Sequence, residues 1–125
     1  MQVKLIDFGS AVIVDPDQPR PYYKVFYGTE AYASSEIMRG QMYQAAPAEI
    51  WTLGVLLSFL LTGTTCFLSR RDCVKGNIVL NGSTGASLSR EVLSLMRRCL
   101  EPDPRRRADI HEVRAHRWLN GALGR

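Results

Sequence analysis

Asp7 is the residue best placed to do chemistry. It opens Asp7-Phe8-Gly9, directly after the apolar run Val3-Lys4-Leu5-Ile6. A carboxylate on a loop is a hard oxygen ligand of the kind that a small divalent cation takes in near-octahedral geometry. One carboxylate is not a site, and on its own the tripeptide reads as an ordinary turn. Other reactive groups are less suggestive. Cys66, Cys73 and Cys99 are odd in number, have no CxxC spacing and no clustered histidines, so neither a disulfide framework nor a zinc centre is indicated. Arg105-Arg106-Arg107 is a short basic run in a chain of net charge +4. It reads as structural or solvated rather than as a nucleic-acid patch.

The elements that must hold Asp7 follow from the local pattern. Residues 3–6 and 11–14 are β-rich runs on either side of a turn in which Gly9 permits a sharp bend, predicting a strand, a loop and a strand. Residues 15–27 carry Pro16, Pro19 and Pro21 among polar and aromatic residues. That composition supports a long loop, which in compact domains usually has a function. From Ile50 to Leu61 the chain is apolar almost all round. This run is shorter than the ~20 residues that a bilayer requires, and a helix apolar on every face belongs in a protein interior. The expected helix runs from about Glu49 to Leu61.

Further on, Gly76, Gly82 and Gly85 break residues 67–87 into loops around one short helix. Ser89 reads as an N-cap, with Glu91 in the first turn, for a helix reaching about Leu100. Pro102 and Pro104 stop it. Asp109, with Glu112 three residues on, caps a last helix bearing Ile110 and Val113. Residues 120–125 form a small tail expected to fray. With 125 residues and 46% apolar content, the chain is one domain at most. The acidic residue at position 7 ends the first apolar run too early for a signal peptide. A reducing, cytoplasmic or nuclear setting is expected.

Taken in order, Asp7-Phe8-Gly9, then Gly28-Thr29-Glu30-Ala31-Tyr32-Ala33-Ser34-Ser35-Glu36, then Glu49-Ile50-Trp51-Thr52-Leu53-Gly54, then Asp103-Pro104-Arg105-Arg106-Arg107, the chain resembles the second half of a eukaryotic protein kinase domain. The resemblance covers residues 3 to 119 and rests on several motifs at workable spacings. Residues 43–51, Tyr-Gln-Ala-Ala-Pro-Ala-Glu-Ile-Trp, and residues 5–11, Leu-Ile-Asp-Phe-Gly-Ser-Ala, look most like the PAS-domain serine/threonine kinases. It implies a mainly α fold: a C-terminal-lobe remnant spanning residues 1–119, with a short β-hairpin and the activation segment at its start.

The same resemblance implies roles. Asp7 would be the magnesium ligand at the ATP phosphates, with Phe8 packing in the core and Gly9 completing the cofactor-binding turn. Thr29 would contact the catalytic machinery. Glu36 would pair with Arg107, although the family's Ala-Pro-Glu ending is here Ser34-Ser35-Glu36, without the fixed angle of the proline. Glu49 stands where most kinases carry an Asp that accepts backbone hydrogen bonds from the catalytic loop. Trp51 would be core. The parent would transfer phosphate from MgATP to a protein substrate. The Gly-rich loop, the strand Lys and the catalytic base precede Asp-Phe-Gly in the family's order, so the 125 residues alone are expected to be inactive. An alternative reading is a non-catalytic module that binds a kinase lobe or a regulatory protein. No nucleic-acid or membrane partner is expected.

Overall fold

The computed structural model describes residues 1–80 and 88–123; the expected breaks at Gly82 and Gly85 lie outside them. The chain is helical. A 3-10 turn at Glu30–Tyr32 is followed by α1 (Ser35–Met38), α2 (Ala45–Thr62), α3 (Arg70–Lys75), α4 (Arg90–Cys99), α5 (Ile110–Ala115) and α6 (Arg117–Leu123).

The long helix α2 organises the rest. It starts four residues before the expected position, at Ala45, because Pro47 falls in the first turn, where its missing N–H leaves no intrahelical bond unmade. It ends where Gly63 takes the left-handed conformation (φ 77°) and its N–H donates to Phe59 O at 2.8 Å. With 18 residues and a mean hydropathy of 1.5, α2 reaches the length and apolarity of a membrane span, unlike the shorter run expected. Its contacts are those of a core helix. Trp51 and Val55 join Cys66, Cys73 and Leu100 in one buried cluster, while Ile50 joins Leu95 and Cys99 in another, flanked by Val113, Trp118 and Leu119.

Helix α2 packs chiefly on α4, and Gly54 makes the approach close. A Cβ at that position would lie 2.8 Å from Leu100 Cγ and 2.9 Å from Cys99 Cβ. The caps of the smaller helices are local. Ser89 Oγ accepts from Val92 N at 3.2 Å and Asp109 Oδ1 from Glu112 N at 2.9 Å. Ser69 caps the short helix α3, its Oγ accepting from Asp72 N at 3.1 Å.

Two expectations change at the chain's ends. Residues 3–6 and 11–14 form no hairpin; among the described residues there is no strand, only an isolated bridge between Tyr23 and Tyr43. A lone two-stranded hairpin is marginal without a surface to bury against, and Val3, Leu5, Ile6 and Ile13 are all exposed. At the other end, α6 carries residues 120–123 as helix instead of a frayed tail. Asn120 Nδ2 ties it down, donating to Arg114 O at 2.9 Å and His116 O at 3.0 Å.

Candidate functional site

Asp7 sits on a tight turn in the left-handed region (φ 62°), the one non-glycine residue with positive φ among those described. The turn itself falls where expected, at Gly9 and Ser10, closed by Ala11 N donating to Phe8 O at 3.1 Å, and Asp7 leads into it with its backbone left-handed. Asp tolerates this conformation better than most residues because its short side chain can bond locally, and Asp7 Oδ1 accepts from Gly9 N at 3.3 Å. Phe8, expected to pack in the core, is 69% exposed. The described residues around it offer the ring no apolar wall.

A groove of about 660 Å³ runs between this N-terminal stretch and the start of α2, with Asp7, Tyr27, Tyr32, Tyr43, Glu49 and Thr52 among its lining residues. Its two carboxylates, Asp7 and Glu49, are joined by no Lys or Arg. Thr52 Oγ1 donates to Tyr32 O at 3.3 Å and to Ala48 O at 3.1 Å, fixing the 3-10 turn to the helix. Thr29 is the N-cap of that turn but makes no side-chain capping bond, and it is exposed, as is Glu49. The structure thus brings Asp7 and Glu49 to one groove and leaves Thr29 at the surface.

The far end of the segment is held by charge. Arg107 Nη2 donates to Glu36 Oε2 at 2.7 Å and Nη1 to Glu36 Oε1 at 3.0 Å, a two-bond pair with both residues buried. Arg107 also donates to Glu101 O (2.9 Å) and Pro47 O (2.8 Å). Its guanidinium lies 5.0 Å from the Trp51 ring centre, and Phe67 stacks on Trp51 with centroids 5.3 Å apart. A buried cation is tolerable only with such saturation. Burial pushes the Glu36 carboxyl upward, but the bonds and charge of Arg107 more than reverse this and leave it below its ordinary value.

Ser35 contributes what the family's proline cannot. Its Oγ donates to Pro102 O at 2.6 Å and accepts from Arg107 Nη2 at 3.4 Å. The departure from Ala-Pro-Glu therefore adds an anchor in place of a fixed backbone angle. No local pattern in the sequence signals Ser35, Tyr43 or Thr52 as site residues. The bonds that tie them to other elements reach partners 18 or more positions away.

The profile of the protein kinase domain matches residues 1–119. The chain belongs to the protein kinase family. Relatives of this kinase segment carry serine/threonine kinase names. It is 34% identical over 121 residues to the SNF-related serine/threonine-protein kinase of Homo sapiens, covering 95% of this chain and 15% of that protein. It is 33% identical over 117 residues to the serine/threonine-protein kinase PSK2 of Saccharomyces cerevisiae, covering 94% and 10%. With the serine/threonine-protein kinase kin-29 of Caenorhabditis briggsae it shares 35% over 121 residues, covering 95% and 14%. The chain thus spans less than a fifth of the length of each of these kinases.

Proposed function

We propose that this chain is the C-terminal-lobe portion of a protein serine/threonine kinase, running from the metal-binding turn to the last helices. Protein kinases use ATP with magnesium and act on protein substrates. The observation that carries the reading is the arrangement of Asp7 and Glu36 at the two ends of one segment. Asp7 stands on the groove, and Glu36 is locked to Arg107 beneath it. The subgroup we propose is that of the PAS-domain kinases, on the strength of residues 5–11 and 43–51.

In this reading Asp7 would be one carboxylate ligand to magnesium, an ion that would supply charge neutralisation at the ATP phosphates. Phe8 and Gly9 shape the turn. Thr29 and its neighbours present the substrate hydroxyl, and Glu49 accepts backbone N–H donors from the catalytic loop. The groove as lined does not fit a triphosphate by itself. It carries two carboxylates and no cation, and no group of three or more His, Cys, Asp or Glu among the described residues is placed to hold a metal. These 125 residues alone are accordingly proposed to be catalytically incomplete, the remaining donors coming from other parts of a complete kinase domain. We place the protein in the cytoplasm or nucleus, in keeping with three buried free thiols.

A second reading, an interaction module that docks a kinase lobe or a regulatory protein, is favoured by one feature. Leu53, Leu56, Phe59 and Leu60 of α2 are exposed, and contiguous apolar surface marks a contact. Two measurements decide between the readings. Titration of the isolated chain with MgATP by calorimetry should give no saturable binding. Radiolabelled ATP offered to the full-length protein with a generic substrate should label Ser or Thr. Labelling absent from the full-length protein would favour the interaction module.

A further inference from the structure

We propose that Tyr43 is a positioning residue that clamps residues 20–27 to the start of α2 and thereby keeps the groove-lining stretch 26–32 in place without a phosphate. This rests on the kinase reading above and concerns how the same site is kept in order.

Activation segments are commonly ordered when a phosphorylated residue in the loop meets an Arg cluster. Here the hydroxyl residues between Gly9 and Gly28 are Ser10, Tyr22, Tyr23 and Tyr27, with no Ser or Thr in the middle of the loop. The structure holds the loop by other means. Tyr23 N donates to Tyr43 O at 2.7 Å and Tyr43 N to Tyr23 O at 3.0 Å, an antiparallel bridge between segments 20 residues apart. The two rings pack with centroids 5.8 Å apart. Tyr43 Oη then donates to Val25 O at 2.8 Å, and Gln44 Nε2 donates to Arg20 O at 3.4 Å.

Tyr43 can do this because it is tied to a rigid element. Gln44 is the N-cap of α2, so Tyr43 directly precedes the most deeply anchored helix of the chain. Residues 26–32 consequently hang between two fixed points, the Tyr23–Tyr43 bridge on one side and the Glu36–Arg107 pair on the other. Phe26, Tyr27 and Tyr32 of that stretch line the groove together with Tyr43. A side chain that holds one end of the stretch sets the position of whatever lies upon it.

Limited trypsin digestion of the full 125-residue chain reads the clamp directly, because Lys24 lies within it and Lys4 lies in an exposed stretch outside it. Tyr43→Phe, which loses only the bond to Val25 O, should speed cleavage after Lys24 about fivefold, and Tyr43→Ala, which also loses the ring contact, by about tenfold or more. Cleavage after Lys4 and the melting temperature of Tyr43→Phe should stay unchanged. In the full-length kinase Tyr43→Phe should raise the KM for a peptide substrate with little change in kcat or in the KM for ATP, while Tyr22→Phe, an exposed control, does neither. Equal cleavage after Lys24 in wild type and both variants overturns the clamp. Faster cleavage with an unchanged peptide KM overturns the positioning role. Absence of transfer by the full-length wild type contradicts the kinase reading instead, and leaves the clamp to be judged by the digestion.

Discussion

The Arg107 guanidinium lies between the Glu36 carboxylate and the Trp51 indole, bonding the first at 2.7 and 3.0 Å and covering the second at 5.0 Å. One cation thus joins the end of the segment that borders the groove to the centre of the core. Glu36→Gln leaves that cation buried without its counter-charge and should destabilise the chain by about 3–5 kcal/mol, measured by urea unfolding. Replacing both residues together, Glu36→Leu with Arg107→Met, should cost much less than the sum of the single changes. An additive pair would mean that the two residues do not act on each other.

The same pair sets an acid limit. The folded carboxyl of Glu36 is held below its ordinary value of 4.5, so its stabilisation is fully present above that pH and is lost as pH falls through the lower folded value. Unfolding free energy followed from pH 7 downward should begin to fall below about 4.5. Glu36→Gln should flatten that part of the profile.

Gly54→Ala sets two effects against each other. Helix propensity alone would stabilise α2 by up to about 1 kcal/mol. The added methyl would meet Leu100 and Cys99 at under 3 Å, and overpacking of this kind costs about 1–3 kcal/mol. Thermal unfolding should therefore show a net loss of stability. A gain would mean that α2 and α4 pack less closely than described.

The thiols should be inert while the chain is folded. Burial pushes Cys73 and Cys99 up to about 11 and raises Cys66 as well, so little thiolate forms near neutral pH. Alkylation by iodoacetamide at pH 8 should be slow on the native chain and reach all three cysteines in denaturant. Fast labelling of any one under native conditions would show that the packing around it opens locally.

The apolar face of α2 should govern solubility. Leu60 is 73% exposed and lies beside exposed Leu56 and Phe59. Leu60→Lys should reduce binding of a hydrophobic dye and aggregation while leaving the melting temperature nearly unchanged, since an exposed leucine contributes little burial. A large fall in melting temperature would show that Leu60 is packed.

Much of this was legible in the sequence where the signal is local or periodic. Ser89 and Asp109 cap their helices through bonds to residues three positions on, a spacing readable at sight. The pairing of Glu36 with Arg107 was accessible through resemblance, because 71 residues separate them and no local pattern connects the two. The hairpin failed because alternation of β-formers says nothing about whether a partner surface exists. The turn at Gly9 and Ser10 was legible because a glycine marks where the backbone can bend, whereas the left-handed backbone of Asp7 was not, since it goes with a local bond from Gly9 N to the aspartate carboxylate. Tyr43 was read as part of a resemblance to kinases. Its hydroxyl bond to Val25 and its bridge to Tyr23 are set by how the loop folds back on α2, which composition does not encode.

The central claim is tested most directly by phosphoryl transfer in the full-length protein with Asp7→Ala, alongside Tyr22→Phe as a surface control. The side chain of Asp7 is exposed and makes only a local bond to Gly9 N, so its removal should cost the fold no more than about 1–2 kcal/mol, the penalty of placing Ala at a left-handed position. Loss of a metal ligand should lower the transfer rate by about 100-fold or more. Transfer by Asp7→Ala at the wild-type rate, with the fold intact, would contradict the account.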